Sequence, residues 1–136
     1  MIIKKHLFLF LLLFVSLASR IIVKIYFADV ELDYEWGVIV SNLYNSGVFG
    51  FRTIEGIIVP NIFMPPFYPI FIYLIKIIAN GNSYYLEIII YLQVLLSVYA
   101  VYIFYKTLLH FFSEKLAYFS GFIFSLFPIN VYSCSQ

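Results

Sequence analysis

Leu7-Phe8-Leu9-Phe10-Leu11-Leu12-Leu13-Phe14-Val15-Ser16-Leu17-Ala18 is the stretch that decides what solvent this protein lives in. It holds no charge, and Lys4 and Lys5 stand just before it. A basic flank ahead of an apolar run marks the cytoplasmic start of a membrane segment. Apolar character resumes after Arg20 and Lys24 through Ile25, Tyr26 and Phe27. The segment therefore reaches spanning length, provided those two long side chains snorkel or face protein. A competing reading is a cleaved signal peptide, because Ser16-Leu17-Ala18 offers small residues where a signal peptidase needs them.

The rest of the chain agrees with a lipid solvent. Of its 136 residues 64% are hydrophobic and 11% charged, with a mean hydropathy of +1.00. A water-soluble domain carries roughly a quarter charged residues. A helix needs about 20 apolar residues to span a bilayer, so the length has room for about four spans and none for a soluble catalytic domain. Net charge is +1 and the lysines and arginines are scattered along the chain, which argues against a nucleic-acid face and against a polybasic lipid patch. A single cysteine, Cys134, excludes an intramolecular disulfide and paired-cysteine metal or redox motifs. The 22% aromatic content suits helix ends at a membrane interface.

The predicted fold is an all-α membrane protein with about four transmembrane helices, over residues 7–28, 62–79, 84–106 and 115–133. Residues 29–61 form the one sizeable polar loop. It holds Asp29, Glu31, Asp33, Glu35 and Glu55, five of the seven carboxylates, against a single cation, Arg52. Following a helix that starts inside, a loop poor in Lys and Arg belongs on the extracytoplasmic side. Within it Trp36, Ile39, Val40 and Leu43 recur at helical spacing, which predicts a short amphipathic helix lying along the membrane surface and ended by Asn45-Ser46-Gly47. Pro65-Pro66-Phe67-Tyr68-Pro69 opens the next apolar segment, with prolines in the first turns where a missing N–H costs little. Asn80-Gly81-Asn82-Ser83 is a turn by composition. Pro128 falls late in the last segment. If all four segments cross, the connection from Lys106 to Lys115 lies outside although it carries two lysines, against the usual charge rule.

The order of motifs carries a resemblance. Asp33-Tyr34-Glu35-Trp36, Ser41-Asn42-Leu43, Gly47-Val48-Phe49-Gly50-Phe51 and Pro65-Pro66-Phe67-Tyr68-Pro69 follow one another ahead of a membrane helix. This order resembles the first extracytoplasmic loop of the GT-C glycosyltransferases, in particular the bacterial relatives of protein O-mannosyltransferases and lipid A aminoarabinose transferases (family 39-like). Leu92-Gln93-Val94-Leu95-Leu96-Ser97 and the stretch from Ala117 to Pro128 also look like that family's amino-terminal module. The likeness implies a bacterial plasma-membrane transferase with its amino terminus in the cytoplasm, which moves a sugar from a polyprenyl-phosphate donor to an acceptor at the outer face. Such a donor needs no nucleotide fold, and no Gly-rich phosphate loop is present. In the family an acid of this loop acts as general base or binds a metal or the acceptor. Asp33 stands at the matching position, Glu35 is the alternative, and Asp29 and Glu31 match less well. The implied partners are the donor and membrane lipid, and a divalent metal is a candidate cofactor.

Physical chemistry makes the same demand without the family. Displacement at an anomeric carbon passes through an oxocarbenium-like state, and the attacking hydroxyl must give its proton to a positioned acceptor. The leaving polyprenyl phosphate needs a cation, a metal or helix N-terminal N–H groups. Arg52, as the loop's one cation, and Tyr68 of the proline motif are the substrate-binding candidates. The plain alternative for the acids is that they cap the surface helix and complement its dipole. Glu87 and Gln93 either face a pathway between helices or, for Glu87, reach interfacial water. His6 and His110 lack metal-ligand spacing, and interfacial solvation explains them better.

GT-C enzymes are several times longer, with more helices and a second acidic loop. The chain is accordingly expected to be a fragment, a truncated reading frame or a split gene product, inactive alone. The competing function is a noncatalytic small polytopic membrane protein or a transporter subunit.

Overall fold

The computed structural model describes residues 2–28, 32, 34–60 and 63–133. In chain order these form α1 (Ile2–Phe27), α2 (Tyr34–Ser46), β1 (Arg52–Ile54), β2 (Ile57–Val59), α3 (Phe67–Ile78), α4 (Tyr85–Phe111), α5 (Glu114–Leu126) and α6 (Pro128–Tyr132). Among the described residues two helices, α1 as His6–Phe27 and α4, are long and apolar enough to cross a membrane. At 1.5 Å per residue α4 is about 40 Å long, beyond the roughly 30 Å of a hydrocarbon core.

The two other expected spans are shorter than the sequence suggested. The segment 62–79 yields a helix of 12 residues, about 18 Å long. Pro65 and Pro66 hold the chain outside the helix until Phe67, and a Schellman turn closes it. Asn80 N–H donates to Ile77 O at 2.9 Å and Gly81 N–H to Lys76 O at 2.9 Å, with Asn80 at φ 51. The segment 115–133 is broken. Pro128 has no N–H for the Phe124 carbonyl and forces Phe127 out of the helical region, to φ −62, ψ 121. That carbonyl accepts instead from Phe127 N–H at 3.4 Å and from Asn130 Nδ2 at 3.3 Å.

The chain divides into two compact units, Met1–Asp29 with Ile90–Gln136, and Val30–Ile89. In the first, α1 and α5 lie against each other in parallel. Phe8 meets Tyr118 with ring centroids 5.4 Å apart, and Arg20 reaches the Ser125 carbonyl at 3.1 Å. Ala117, Gly121 and Ser125 line one face of α5 at four-residue spacing and are buried. Small residues in such a row let two backbones approach closely. A Cβ on Gly121 would come within 3.1 Å of the Leu12 side chain. The α4 helix runs antiparallel to both: Lys24 Nζ lies 3.3 Å from Tyr91 Oη, while Leu12 shares a core with Val101, Tyr105 and Ala117.

In the second unit α2 packs on α3 through Val40, Ile72 and Ile75, and Ile89 from the start of α4 joins the same core. The predicted amphipathic helix is present, and Gly47 at φ 69 ends it with its N–H on Leu43 O. Its apolar face, however, is covered by protein instead of lipid: Ile39 and Val40 are buried. The unit also contains a two-stranded hairpin, so the fold is not purely helical. Arg52 pairs with Val59, Thr53 with Ile58 and Ile54 with Ile57. Glu55 and Gly56 both take positive φ, 50 and 82, as a two-residue type I′ connection requires.

Candidate functional site

Two places on the described chain gather polar chemistry. The first lies in the second unit, where the motif residues stand. Asp33, the principal candidate, lies outside the described residues, as do Asp29 and Glu31. Glu35 is described, in the first turn of α2, and is exposed. One turn of helix is enough to place Trp36 beside the proline motif. Its ring meets Tyr68 edge-on, with centroids 5.9 Å apart. An edge-to-face pair of this kind contributes about 0.5–1.5 kcal/mol beyond its buried area. Asn42 Nδ2 donates to Gly50 O at 2.8 Å, so the Asn-Leu and Gly-aromatic motifs are bonded to each other. The structure thus joins α2 both to the proline motif, through Trp36, and to the hairpin's entry, through Asn42.

Gly50 is required where it stands. A Cβ there would be driven into the Val59 carbonyl oxygen of the facing strand. Gly50→Ala is expected to cost about 1–3 kcal/mol, the usual penalty of forced overpacking, and to loosen the hairpin before the helices. Faster amide hydrogen exchange between Thr53 and Ile58, with α2 and α3 unchanged, is the expected result. Unaltered exchange would show that the close approach carries no energy.

Arg52 stands on β1, exposed, its guanidinium 5.4 Å from the centre of the Phe51 ring. It lines a cavity of about 420 Å³ whose other walls are apolar, among them Phe51, Ile54, Val59, Phe63 and Met64. Among the described residues no ion pair joins Arg52 to Glu35, so these two candidates are not brought together. Glu87 is exposed in the first turn of α4. His6 and His110 are exposed, and His110 Nδ1 lies 2.9 Å from its own helix's Lys106 O. Among the described residues no three of His, Cys, Asp and Glu converge on one point.

The second place belongs to the first unit. Arg20 is 0% exposed. Its Nε donates to Ser97 Oγ at 2.7 Å, and its Nη1 lies 2.9 Å from Ser16 O, 2.8 Å from Ser16 Oγ and 3.1 Å from Ser125 O. Ser97 Oγ in turn reaches Asn130 O at 3.5 Å. Of the two postures open to it from sequence, snorkelling or facing protein, Arg20 takes the second. The planar fork suits this role, since one group can address α1, α4 and α5 at once. Proline supplies the reason α5 has a carbonyl to offer: the break at Phe127 ends the i to i−4 ladder, and the Ser125 carbonyl takes the Arg20 donor. Sequence reading missed this cluster because its members lie 77 and 105 positions apart from Arg20. The available signal was an arginine inside an apolar segment, a functional or architectural mark by default.

No protein-family model matches the chain, and neither the curated proteins nor the solved structures contain a match.

Proposed function

We propose that the chain is a membrane module of a GT-C-like glycosyltransferase, which takes a sugar from a polyprenyl-phosphate donor and delivers it to an acceptor at the extracytoplasmic face. The α1 and α4 helices hold it in the bilayer. The carboxylate of Asp33, or of Glu35 beside it, accepts the proton of the attacking hydroxyl as the bond from sugar to phosphate breaks. The polyprenyl phosphate departs as an anion, and Arg52 neutralises it.

One observation carries the reading: Trp36, three residues after Asp33, touches Tyr68 of the proline motif. Two motifs more than thirty residues apart in sequence therefore bound a single locality. The cavity beside Arg52 adds chemical fit, because a lone cation in an apolar wall suits an amphiphile with one anionic head. The exposed position of Glu35 leaves it accessible to an acceptor from water.

The test is transfer itself. Membranes carrying the full reading frame that contains this chain are supplied with radiolabelled sugars linked to polyprenyl phosphate. Transfer of label from at least one such donor to lipid, protein or glycan is expected. Failure with every donor tried, in membranes where the chain is folded and abundant, would favour the noncatalytic alternative.

A further inference from the structure

We infer that α1 and α4 cross the bilayer antiparallel with no crossing between them, so that residues 30–84 lie on one side, while α5 runs back alongside α1 and a lysine-bearing end is seated on the anionic lipid surface of the other side. The inference rests on the membrane reading and not on sugar transfer.

Packing inside the first unit sets the geometry. The start of α1, the end of α4 and the start of α5 share one end: the Phe8 ring meets Tyr118 at a tilt, the Tyr118 and Tyr105 ring centroids lie 4.8 Å apart, and Leu9 and Leu109 join the same core. The end of α1 and the start of α4's long apolar run share the other end, where Lys24 lies 4.6 Å over the Tyr91 ring. A chain that leaves the bilayer at one end of a unit and returns at the same end has crossed an even number of times in between. Among the described residues between Phe27 and Tyr85 the apolar helix of 10–17 residues is α3, and its 12 residues make about 18 Å. A single crossing by α3 would break the parity, so it makes none.

Charge then orients the α1 and α4 pair. Lys4, Lys5, Lys106 and Lys115 are scattered in sequence, yet the fold assigns all four to the end that begins α1 and ends α4, against one carboxylate, Glu114. Lys106 and Lys115 are exposed. The segments attached to the opposite end carry Asp29, Glu31, Asp33, Glu35, Glu55 and Glu87 against Lys24, Arg52 and Lys76. A negatively charged leaflet attracts the first set and repels the second. Cations retained on the cytoplasmic side are also what insertion favours. The lysines of the 106–115 connection, which a four-span topology strands outside, fall inside.

Single cysteines decide it. In a Cys134→Ser background, Thr53→Cys, Asn82→Cys and Ser113→Cys are placed one at a time and treated in intact cells with a membrane-impermeant maleimide. Positions 53 and 82 should label from outside, and position 113 only after permeabilisation. Four full crossings give the opposite answer at both 82 and 113, and that pattern overturns the inference. So does labelling of all three without permeabilisation, or of 53 and 82 only after it. For the lipid surface, the purified chain is reconstituted into vesicles of phosphatidylcholine with or without phosphatidylglycerol on the inner leaflet. The anionic lipid should raise the fraction of molecules with position 53 outward, and Lys106→Glu with Lys115→Glu should abolish the rise. An unchanged fraction removes the lipid partner. Labelling reads position alone, so a chain with this topology and no transfer activity would sink the enzyme reading and leave this one intact.

Discussion

Replacing Arg20 with methionine is expected to destabilise the folded chain by about 3–5 kcal/mol, the range found when one member of a buried charged network is removed. The guanidinium bonds to oxygens of three helices, and α1 and α5 approach closely along Ala117 and Gly121. Methionine fills the volume but leaves the Ser125 carbonyl facing a thioether. The Ser16 and Ser97 hydroxyls can turn back to their own helices, so the carbonyl and the lost charge-assisted bonds account for most of the cost. Arg20→Lys retains the charge on a point donor that cannot fork to Ser97 and Ser125 together, and a loss of about 1.5–3 kcal/mol is expected, one charged hydrogen bond's worth. Insertion should move the other way. An apolar residue in place of Arg at a helix centre favours insertion by about 2.5–3.5 kcal/mol, so α1 alone should enter membranes more readily while the assembled unit melts earlier. Thermal unfolding in detergent, with hydrogen exchange across residues 124–130, measures both. A variant that melts no lower and leaves exchange at the proline break unchanged would remove Arg20 as the clamp.

Asp33→Asn should lower sugar transfer by about 10²–10⁴-fold, the usual contribution of a positioned general base. The substitution separates catalysis from architecture. Asparagine caps a helix as well as aspartate does, and Asp33 directly precedes α2 in sequence. A purely capping role therefore predicts wild-type transfer, and a proton-accepting role predicts its loss with folding intact. Glu35→Gln provides the internal comparison. Glu35 is exposed in the first turn of α2, and its loss should cost about tenfold or less if it only adds to the local field, since a surface charge is worth about 1 kcal/mol at most. If the two variants exchange their effects, Glu35 is the base. If both transfer at the wild-type rate, the loop carboxylates play no part in proton transfer.

Much of the local architecture could be read from sequence, because its causes act over a few residues. The apolar runs that became α1 and α4, the helical spacing of Trp36, Ile39, Val40 and Leu43, and the stops at Gly47 and at Asn80-Gly81 are all backbone preferences expressed in place. Three further local signals mark elements that shape the fold. Thr53-Ile54-Glu55-Gly56-Ile57-Ile58, β-branched residues on either side of a Glu-Gly pair, is a hairpin signature. Pro65-Pro66 before and Asn80-Gly81 after confine α3 to 12 residues, too few to span, whereas counting apolar residues from position 62 overstated it. Pro128 likewise marked the break that divides α5 from α6.

The sequence by itself determined the two long apolar helices, the entry and exit of α3 and the apolar stripe of α2, since composition, helical period and turn chemistry depend on near neighbours alone. Only the tertiary structure decided that the α2 stripe meets Ile72 and Ile75, that Trp36 meets Tyr68, that Arg20 turns inward to Ser97 and Ser125, and that lysines a hundred residues apart belong to one end. These depend on which helix faces pair and in which direction, and no residue's own propensity fixes the partner it will meet across the fold.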